Sequence, residues 1–344
     1  MKKVRIDSPG LLTTVQDLGR YGFQKYGVSV SGAMDAYSAQ LANILVGNRP
    51  DEAALECTLA GPSFTFMDEC VFSITGADMH AVLNGKRISG HGSYKARKGD
   101  SLRLQAAKHG TRTYVAFSGG IDVESVMGSK STYTKAGFGG YEGRKLKNGD
   151  FLEIGDSDFD CEYCYVPEKD ACFVSVGEKI RVVLGPEIEM FTEEGIKTFF
   201  NEEFELSRQC DRMGYRLDGP VIEHVGGADI LSGGITLGAV QVPGHGHPII
   251  MMADRQTTGG YSKIANVATV DIDRLAQMRP GEKLRFESVE PFEAQTLLRK
   301  RQEKIAKLGK EIIQGKMSYG AAKEYGVRLD GEVYDVSVRE AIKE

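Results

Sequence analysis

ALECTLAGPSFTF (Ala54–Phe66), CVFSITGADMHAVLNGKRI (Cys70–Ile88), SLRLQAA (Ser101–Ala107) and TYVAFSGGIDV (Thr113–Val123) are short runs rich in β-branched and aromatic residues, bounded by Gly, Asp and Asn turns. Such a succession predicts a mainly β fold, a barrel or sandwich. Strands do not alternate with long helices here, and no G-x-G-x-x-G follows a strand, so a doubly wound nucleotide-binding sheet fits poorly.

Upstream, VRIDSPGLLTTVQDLGRYGFQKYGVSVSG mixes β-branched residues with Gly and Ser and reads as strands and turns. SGAMDAYSAQLANILVG, from Ser31, sets Met34, Tyr37, Leu41, Ile44 and Leu45 on one helical stripe, with Asp35 at its positive end and Gly47 as its stop. Downstream, three strings echo one another: KGDSLRL (Lys98–Leu104), NGDFLEI (Asn148–Ile154) and PGEKLRF (Pro280–Phe286). LAGPSFTF (Leu59–Phe66) likewise faces LDGPVIEH (Leu217–His224). These echoes suggest two related β-rich halves, at 1–160 and 161–290, joined near the polar, cysteine-bearing stretch 156–176. Beyond Glu290, FEAQTLLRKRQEKIAKLGKEIIQ spaces Leu298, Ile305, Leu308 and Ile312 as an amphipathic helix that docks on its own protein, opening a helical tail at 291–344.

Length supports two domains: 344 residues bury real cores without help from disulfides. With 43 Lys plus Arg against 48 Asp plus Glu, the formal charge of −5 weighs against capture of a nucleic-acid backbone. No apolar run approaches the roughly 18 residues of a membrane span, and MKKVRIDSPGLL lacks an apolar signal core, so a soluble cytoplasmic protein is expected. The six cysteines are then expected to be reduced thiols, and C-E-Y-C at Cys161 and Cys164 has no second pair at zinc-finger spacing. No metal is expected. Glycine, at 42 residues against 10 prolines, belongs to turns and tight backbone sites.

Four glycine-rich polar segments exceed what strands need: TTVQDLGRYG, with Gln16, Asp17 and Arg20; Met127–Arg144 (MGSKSTYTKAGFGGYEGR); SRQCDRMGYRLDGP from Ser207; and the long segment from Ser232 through PGHGHP and MMADRQTTGGYSKIA. Glycines beside Ser, Thr, Lys and Arg form concavities whose N–H groups hold carboxylate or phosphate, although each segment alone also reads as a polar hairpin. GSKS (Gly128–Ser131) lacks P-loop order, and neither G-x-S-x-G nor H-E-x-x-H occurs. His245 and His247 could ligate a metal if Asp254 came close, but histidines capping their own loop are the simpler reading.

GLLTTVQDLGRYGFQKYGVSVSGAMD, ANILVGN, ALECTLAGP, GSKSTYTKAGFGGYEGR, DRMGYRLDGP, ILSGGITLGAVQVPG and MADRQTTGGY are long, ordered and collinear from about Val4 to Ser288. They resemble the family of the C component of 5-oxoprolinase, also called the allophanate hydrolase subunit 2 or biotin-dependent carboxyltransferase family, which includes the antagonist of the sporulation-kinase inhibitor. The resemblance implies two cyclophilin-like β-barrel halves. It also implies a partner, the B component of 5-oxoprolinase, with which and with the A component the family performs ATP-dependent opening of 5-oxoproline to glutamate. ATP would be shared among the three components. The alternatives it carries are a carboxyltransferase component of a biotin-dependent, urea-type carboxylase, and a noncatalytic regulator binding a kinase inhibitor that resembles the B component. No A-M-K-M segment is present, so biotin would ride on a separate carrier. GHGHP departs from the family, where Asp or Asn and then Gln stand at the two histidines.

Opening a lactam with ATP requires a held carboxylate and stabilised phosphoryl or carbonyl oxygens, hence cations and N–H donors. Lys130, Arg212 and Arg255 are the candidate catalytic cations. Arg20, Ser131, Tyr133, Gly139, Gly140, Arg144, Gln256, Thr257, Thr258, Gly259, Gly260 and Tyr261 are the candidate substrate-binding residues. The segments from Met127 and Asp254 are expected to face one cleft. Gln256–Tyr261 is expected to form a turn whose glycines let the backbone approach a ligand.

Overall fold

The computed structural model describes residues 1–159, 163–172 and 179–317 and the strands Lys323–Leu329 and Glu332–Val338. It is mainly β, as the strand-rich runs require. The expected boundary at 160/161 lies outside the described residues.

In the first half two antiparallel sheets pack face to face. One has the order Phe151–Ile154, Lys2–Ser8, Ser63–Phe66, Ser101–Arg103, Val82–Leu83, Lys86–Arg87; the other runs Leu12–Gln16, Ala54–Thr58, His109–Phe117, Cys70–Asp78, Gly92–Ala96. Strand Lys2–Ser8 turns Val4 and Ile6 inward and Lys3 and Arg5 outward, the alternation of a sheet with one wet face. Phe64, Phe66, Phe72 and Phe117 fill the space between, with the Phe66 and Phe72 rings 5.1 Å apart. Ala54–Thr58 is buried at every position because helix α1 (Ala36–Leu45) covers its second face through Ala39, Ala42 and Val46. Asp35 caps α1 by accepting from Ser38 N, and Gly47 stops the helix with a φ of 72°. Met34 does not belong to the helical stripe: it precedes α1 and packs in the core of the second half.

The second half is one eight-stranded sheet in the order Lys283–Leu284, Phe204–Cys210, Gly214–Asp218, Ile249–Met251, Ala239–Gln241, Lys263–Val267, Ile180–Leu184, Phe286–Ser288. Its two edge strands are consecutive in the chain and separated only by Arg285. The sheet must therefore curl until its edges almost meet, giving a nearly closed barrel. After the single turn α2 (Glu168–Ala171), helices α3 (Glu193–Asn201) and α4 (Thr269–Gln277) pack onto its core, with Phe199 stacked on Phe286 at 4.3 Å. Val240 and Ile250 point inward, whereas Ala239, Ile249 and Met251 form a small cluster on the outer face with Ile235. A separate two-stranded antiparallel ribbon, Asp229–Gly234 with Thr258–Tyr261, adjoins that outer face. The long helix α5 (Pro291–Ile313) follows the barrel.

The KGD, NGD and PGE strings are one turn built three times. Gly99, Gly149 and Gly281 have φ of 89°, 87° and 91°, and the acid after each accepts from the backbone N–H three residues earlier: Asp100 from Arg97, Asp150 from Lys147, Glu282 from Arg279. A strand follows each turn. The other echo has no common structure, since Ser63–Phe66 is a strand and 219–223 is irregular.

Two expectations need correction. Cys164 is disulfide-bonded, so the six cysteines are not all reduced thiols. Cys57, Cys70, Cys172 and Cys210 are free, and Cys161 lies outside the described residues. Composition says nothing about whether two sulfurs are brought within bonding distance, which is a matter of tertiary placement. The stretch after α5 is not wholly helical either: Lys323–Leu329 pairs antiparallel with Glu332–Val338, where KEYGVRL and EVYDVSV alternate apolar with polar residues at the strand period.

Candidate active site

The two halves meet on a buried polar network centred on Glu56, in strand Ala54–Thr58. Its Oε2 accepts from Met34 N (2.8 Å) and from Tyr114 Oη (2.7 Å), while Oε1 accepts from Arg212 Nη1 of the second half. Arg212 also donates from Nε and Nη2 to Asp254 (2.9 and 3.0 Å) and from Nη2 to the Gly32 carbonyl (2.6 Å). The 212 turn and the 254 turn are adjacent because Gly214 pairs with Met251 and Asp254 N donates to Arg212 O. Burial alone would push the Glu56 carboxyl up, but Arg212 and Arg112 together hold it below its ordinary value. The carboxylates likewise outweigh the burial of Arg212 and raise its guanidinium. Arg212 thus spends four of its five N–H donors on the clamp between halves, a structural post where a catalytic one was expected.

Asp17 organises the neighbouring loops. Its Oδ1 accepts from Gly19 N (2.8 Å), Ser129 Oγ (2.7 Å) and Ser131 Oγ, and its Oδ2 accepts from Lys130 N (2.6 Å). The Lys130 ammonium turns away to Glu52 (2.7 Å) and to the Ile121 carbonyl (2.9 Å), both within the first half. Gly139 and Gly140 are close-packing sites, not a ligand cradle: a Cβ at Gly139 would lie 2.2 Å from Ser131 O, and one at Gly140 1.9 Å from Thr132 Oγ1. Arg144 is bound to Glu142 and Asp150 beside the NGD turn and lies over the Tyr141 ring. It is spent on its own surface.

Two arginines stand apart. Arg20 is completely buried, donates to the carbonyls of Val126 (3.1 Å) and Ser131 (2.7 Å), lies over the Phe138 ring at 4.8 Å, and leaves Nη1 without a partner. Arg255, 8% exposed, makes only long bonds of 3.3 Å to the carbonyls of Ile235 and Met252. Among the described residues neither forms an ion pair with a carboxylate. Burial lowers both below their ordinary range, with Asp254 opposing in each case, Asp17 also acting on Arg20 and Tyr21 on Arg255. Burial and Asp254 also raise the Tyr133 hydroxyl. Arg20, Arg255, Tyr133 and Asp254 therefore share one electrostatic neighbourhood where two desolvated cations lack full compensation. Such a place suits an anion.

The segment from Met127 touches the one from Ser207, with Lys135 Nζ 3.2 Å from Met213 Sδ, and the segment carrying Arg255 is reached from Ser29, whose Oγ donates to Arg255 O (3.0 Å). Gln256–Tyr261 is not a turn. Thr258–Tyr261 is a strand paired with Asp229–Gly234, Thr257 O accepts from Ile235 N, and neither Gly259 nor Gly260 has positive φ. Pairing demands extended backbone, which overrides the Gly-Gly turn signal. Gln256 and Tyr261 line an open cleft of about 470 Å³ beside this ribbon, to which Gln209, Arg208, Arg216 and Cys210 also contribute. Asp254 is held by Arg212, and His247 N donates to His245 Nδ1 (3.1 Å) in a self-capped loop. No group of three described residues is arranged to hold a metal.

Glu56 and Asp254 are the partners that the glycine-rich segments did not reveal. A charged residue inside the apolar run ALECT was the available signal, since a buried strand admits an acid only where a cation meets it.

Residues 26–288 match the family described as "Carboxyltransferase domain, subdomain A and B". The chain is 40% identical over 283 residues to the C component of the 5-oxoprolinase of Escherichia coli (strain K12), covering 82% of this chain and 90% of that protein. It is 34% identical over 301 residues to the urea amidolyase of Saccharomyces cerevisiae, again over 82% of this chain but only 16% of the relative. The crystal structure of the K. lactis urea amidolyase superposes with a TM-score of 0.84 at 32% identity, covering 89% of this chain and 20% of that much longer one.

Proposed function

The chain belongs to the family of the carboxyltransferase domain, subdomains A and B, and from that premise we propose that it is the C component of an ATP-dependent 5-oxoprolinase, acting with the A and B components. The observation that carries the reading, beyond likeness to relatives of that name and nearly the same length, is the pair of buried guanidiniums, Arg20 and Arg255, that lack a carboxylate partner among the described residues. Lactam hydrolysis driven by ATP places negative charge on phosphoryl and carbonyl oxygens, and cations already desolvated and fixed stabilise such charge without reorganising. Arg255 is the stronger candidate for contact with the reacting oxygens, since its bonds to Ile235 and Met252 are long and replaceable. Tyr133 stands near as a neutral donor. Asp254 accepts from Arg212 and reaches Arg20 and Arg255 only through its charge. ATP is a co-substrate of the assembled complex, which works in the cytoplasm. Among the described residues no helix is long and apolar enough to cross a membrane.

Reconstitution with the A and B components tests the reading: oxoproline- and ATP-dependent release of glutamate supports it. Arg255→Met should reduce kcat by about 10²–10³, the usual effect of losing one donor to a developing oxyanion, and full activity in that variant would remove Arg255 from the site.

Likeness to urea amidolyase favours a second reading, carboxyl transfer with biotin on a separate carrier, because a carboxylated ureide needs the same cations. Carboxylation of urea by the complex with biotin carboxylase and carrier would decide for it. Tight binding to the B component with no turnover of either kind would make the chain a regulator.

A further inference from the structure

We infer that the cleft on the outer face of the second barrel is the recognition site for the substrate's carboxylate and its cyclic amide or ureide edge, a role that rests on the reading above. The cleft lies between the Phe204–Asp218 region and the two-stranded ribbon, with Ile249 and Met251 as its apolar floor. Its volume, about 470 Å³, is that of a small-molecule site.

The chemistry of its wall is specific. Arg208 and Arg216 come from adjacent antiparallel strands, both are exposed, and neither makes an ion pair or side-chain hydrogen bond among the described residues. The cleft's acid, Asp211, is held in its own turn, where Oδ1 accepts from Met213 N (2.7 Å) and Gly214 N (3.2 Å), and it pairs with neither arginine. Two free guanidiniums therefore face the space against a single carboxylate, and the surplus positive charge suits an anionic ligand. Gln209 and Gln256 bring unspent amides, each a donor and an acceptor at once, and that is the complement of a lactam or ureido N–H and C=O. Gln256 directly follows Arg255, and Met213 directly follows Arg212. The same two chain turns thus present recognition groups on one side and the buried cations on the other.

Both 5-oxoproline and a carboxylated biotin ring carry this chemistry, and the test separates them. In the reconstituted complex, Arg208→Ala and Arg216→Ala should each raise KM for 5-oxoproline about tenfold or more with kcat kept within about twofold, the signature of lost ground-state binding. Lysine at either position should restore part of the loss. Independently, Cys210 supplies a reporter in the cleft: in a Cys172→Ser background, 5-oxoproline should slow its alkylation by iodoacetamide. Unchanged KM in both arginine variants, or no protection of Cys210 by 5-oxoproline in a complex that turns it over, overturns the cleft while leaving the oxoprolinase reading standing. If the complex does not open 5-oxoproline at all, that reading fails, and protection of Cys210 by biotin then upholds the cleft as the ureide site whereas no protection removes it too.

Discussion

Neutralising a buried carboxylate shared by two arginines takes a counter-charge from each: Arg112 loses the acid beside its Nε, and Arg212 is left with Asp254. Glu56 faces Arg212 directly, and Arg112 at 3.8 Å, whose Nε has no hydrogen-bond partner of its own. Glu56→Gln is therefore expected to lower stability by about 3–5 kcal/mol, the usual result of removing one member of a buried ion pair, read from urea unfolding of the full chain. The two glycines of strand Thr258–Tyr261 separate cleanly. A Cβ at Gly259 would lie 2.4 Å from Ile235 Cδ1 and 2.8 Å from Gln241 Nε2, whereas at Gly260 the nearest atom is Ser232 Oγ at 3.4 Å. Gly259→Val should lose about 1–3 kcal/mol through overpacking, and Gly260→Ala should melt like wild type. Equal losses in thermal melts would show that backbone freedom, not space, matters at both.

Helix α5 joins what the strands keep separate. Ile305, Leu308 and Ile312 pack on α1 through Tyr37, Leu41, Ile44 and Leu45, while Arg301 donates from Nη1 to Asp273 of α4. Asp273 Oδ1 also accepts from Tyr37 N (3.3 Å), and Asp35, capping α1, stands close enough to add its charge. Burial, reinforced by Asp35 and opposed by Arg301, pushes the Asp273 carboxyl up to about 7. The folded chain thus holds this proton to higher pH than the unfolded chain, which releases it near pH ~3.9. The resulting contribution to stability is full below that value, falls by up to about 1.4 kcal/mol per pH unit, and levels off above neutrality. Wild type should lose stability relative to Asp273→Asn between about pH 4.5 and pH 7, measured by urea unfolding across that range; a constant difference between the two proteins would show that Asp273 is ionised throughout. The amphipathic spacing of α5 was legible in the sequence. Its docking across both halves was not, because periodicity gives a face and not the surface it meets.

At the scale of the molecule, the halves are locked by more than the Glu56 cluster. Arg112 donates to Tyr215 Oη (2.6 Å), Gln277 Nε2 donates to Asp35 (2.7 Å) and to Arg112 O (2.9 Å), and Arg279 donates to the carbonyls of Gly110 (2.7 Å) and Ala107 (2.6 Å). Met34 of the first half sits in the core of the second. Interfaces this buried couple domains rather than let them rock, so calorimetry should show one cooperative transition with calorimetric and van't Hoff enthalpies equal. Two resolved transitions would contradict it. The site so formed is open on the cleft side, and the chain is expected to act only within a multi-subunit complex; turnover by the purified chain would refute this.

Strand-rich composition, the cap at Asp35, the three Gly–acid turns and the amphipathic C-terminal helix were determined by the sequence alone, because each depends on residues within a few positions of one another. So was family membership, carried by long collinear strings. Tertiary structure alone decided which cations are spent and which are not. Lys130, Arg144, Arg212 and Arg255 look alike in a polar, glycine-rich segment. Long-range placement gives Lys130 and Arg212 their carboxylates at Glu52, Glu56 and Asp254 and leaves Arg255 with carbonyls, whereas Arg144 takes Glu142 and Asp150 from its own loop. A charge's function depends on its desolvation and its partners, and both are properties of distant chain segments brought together.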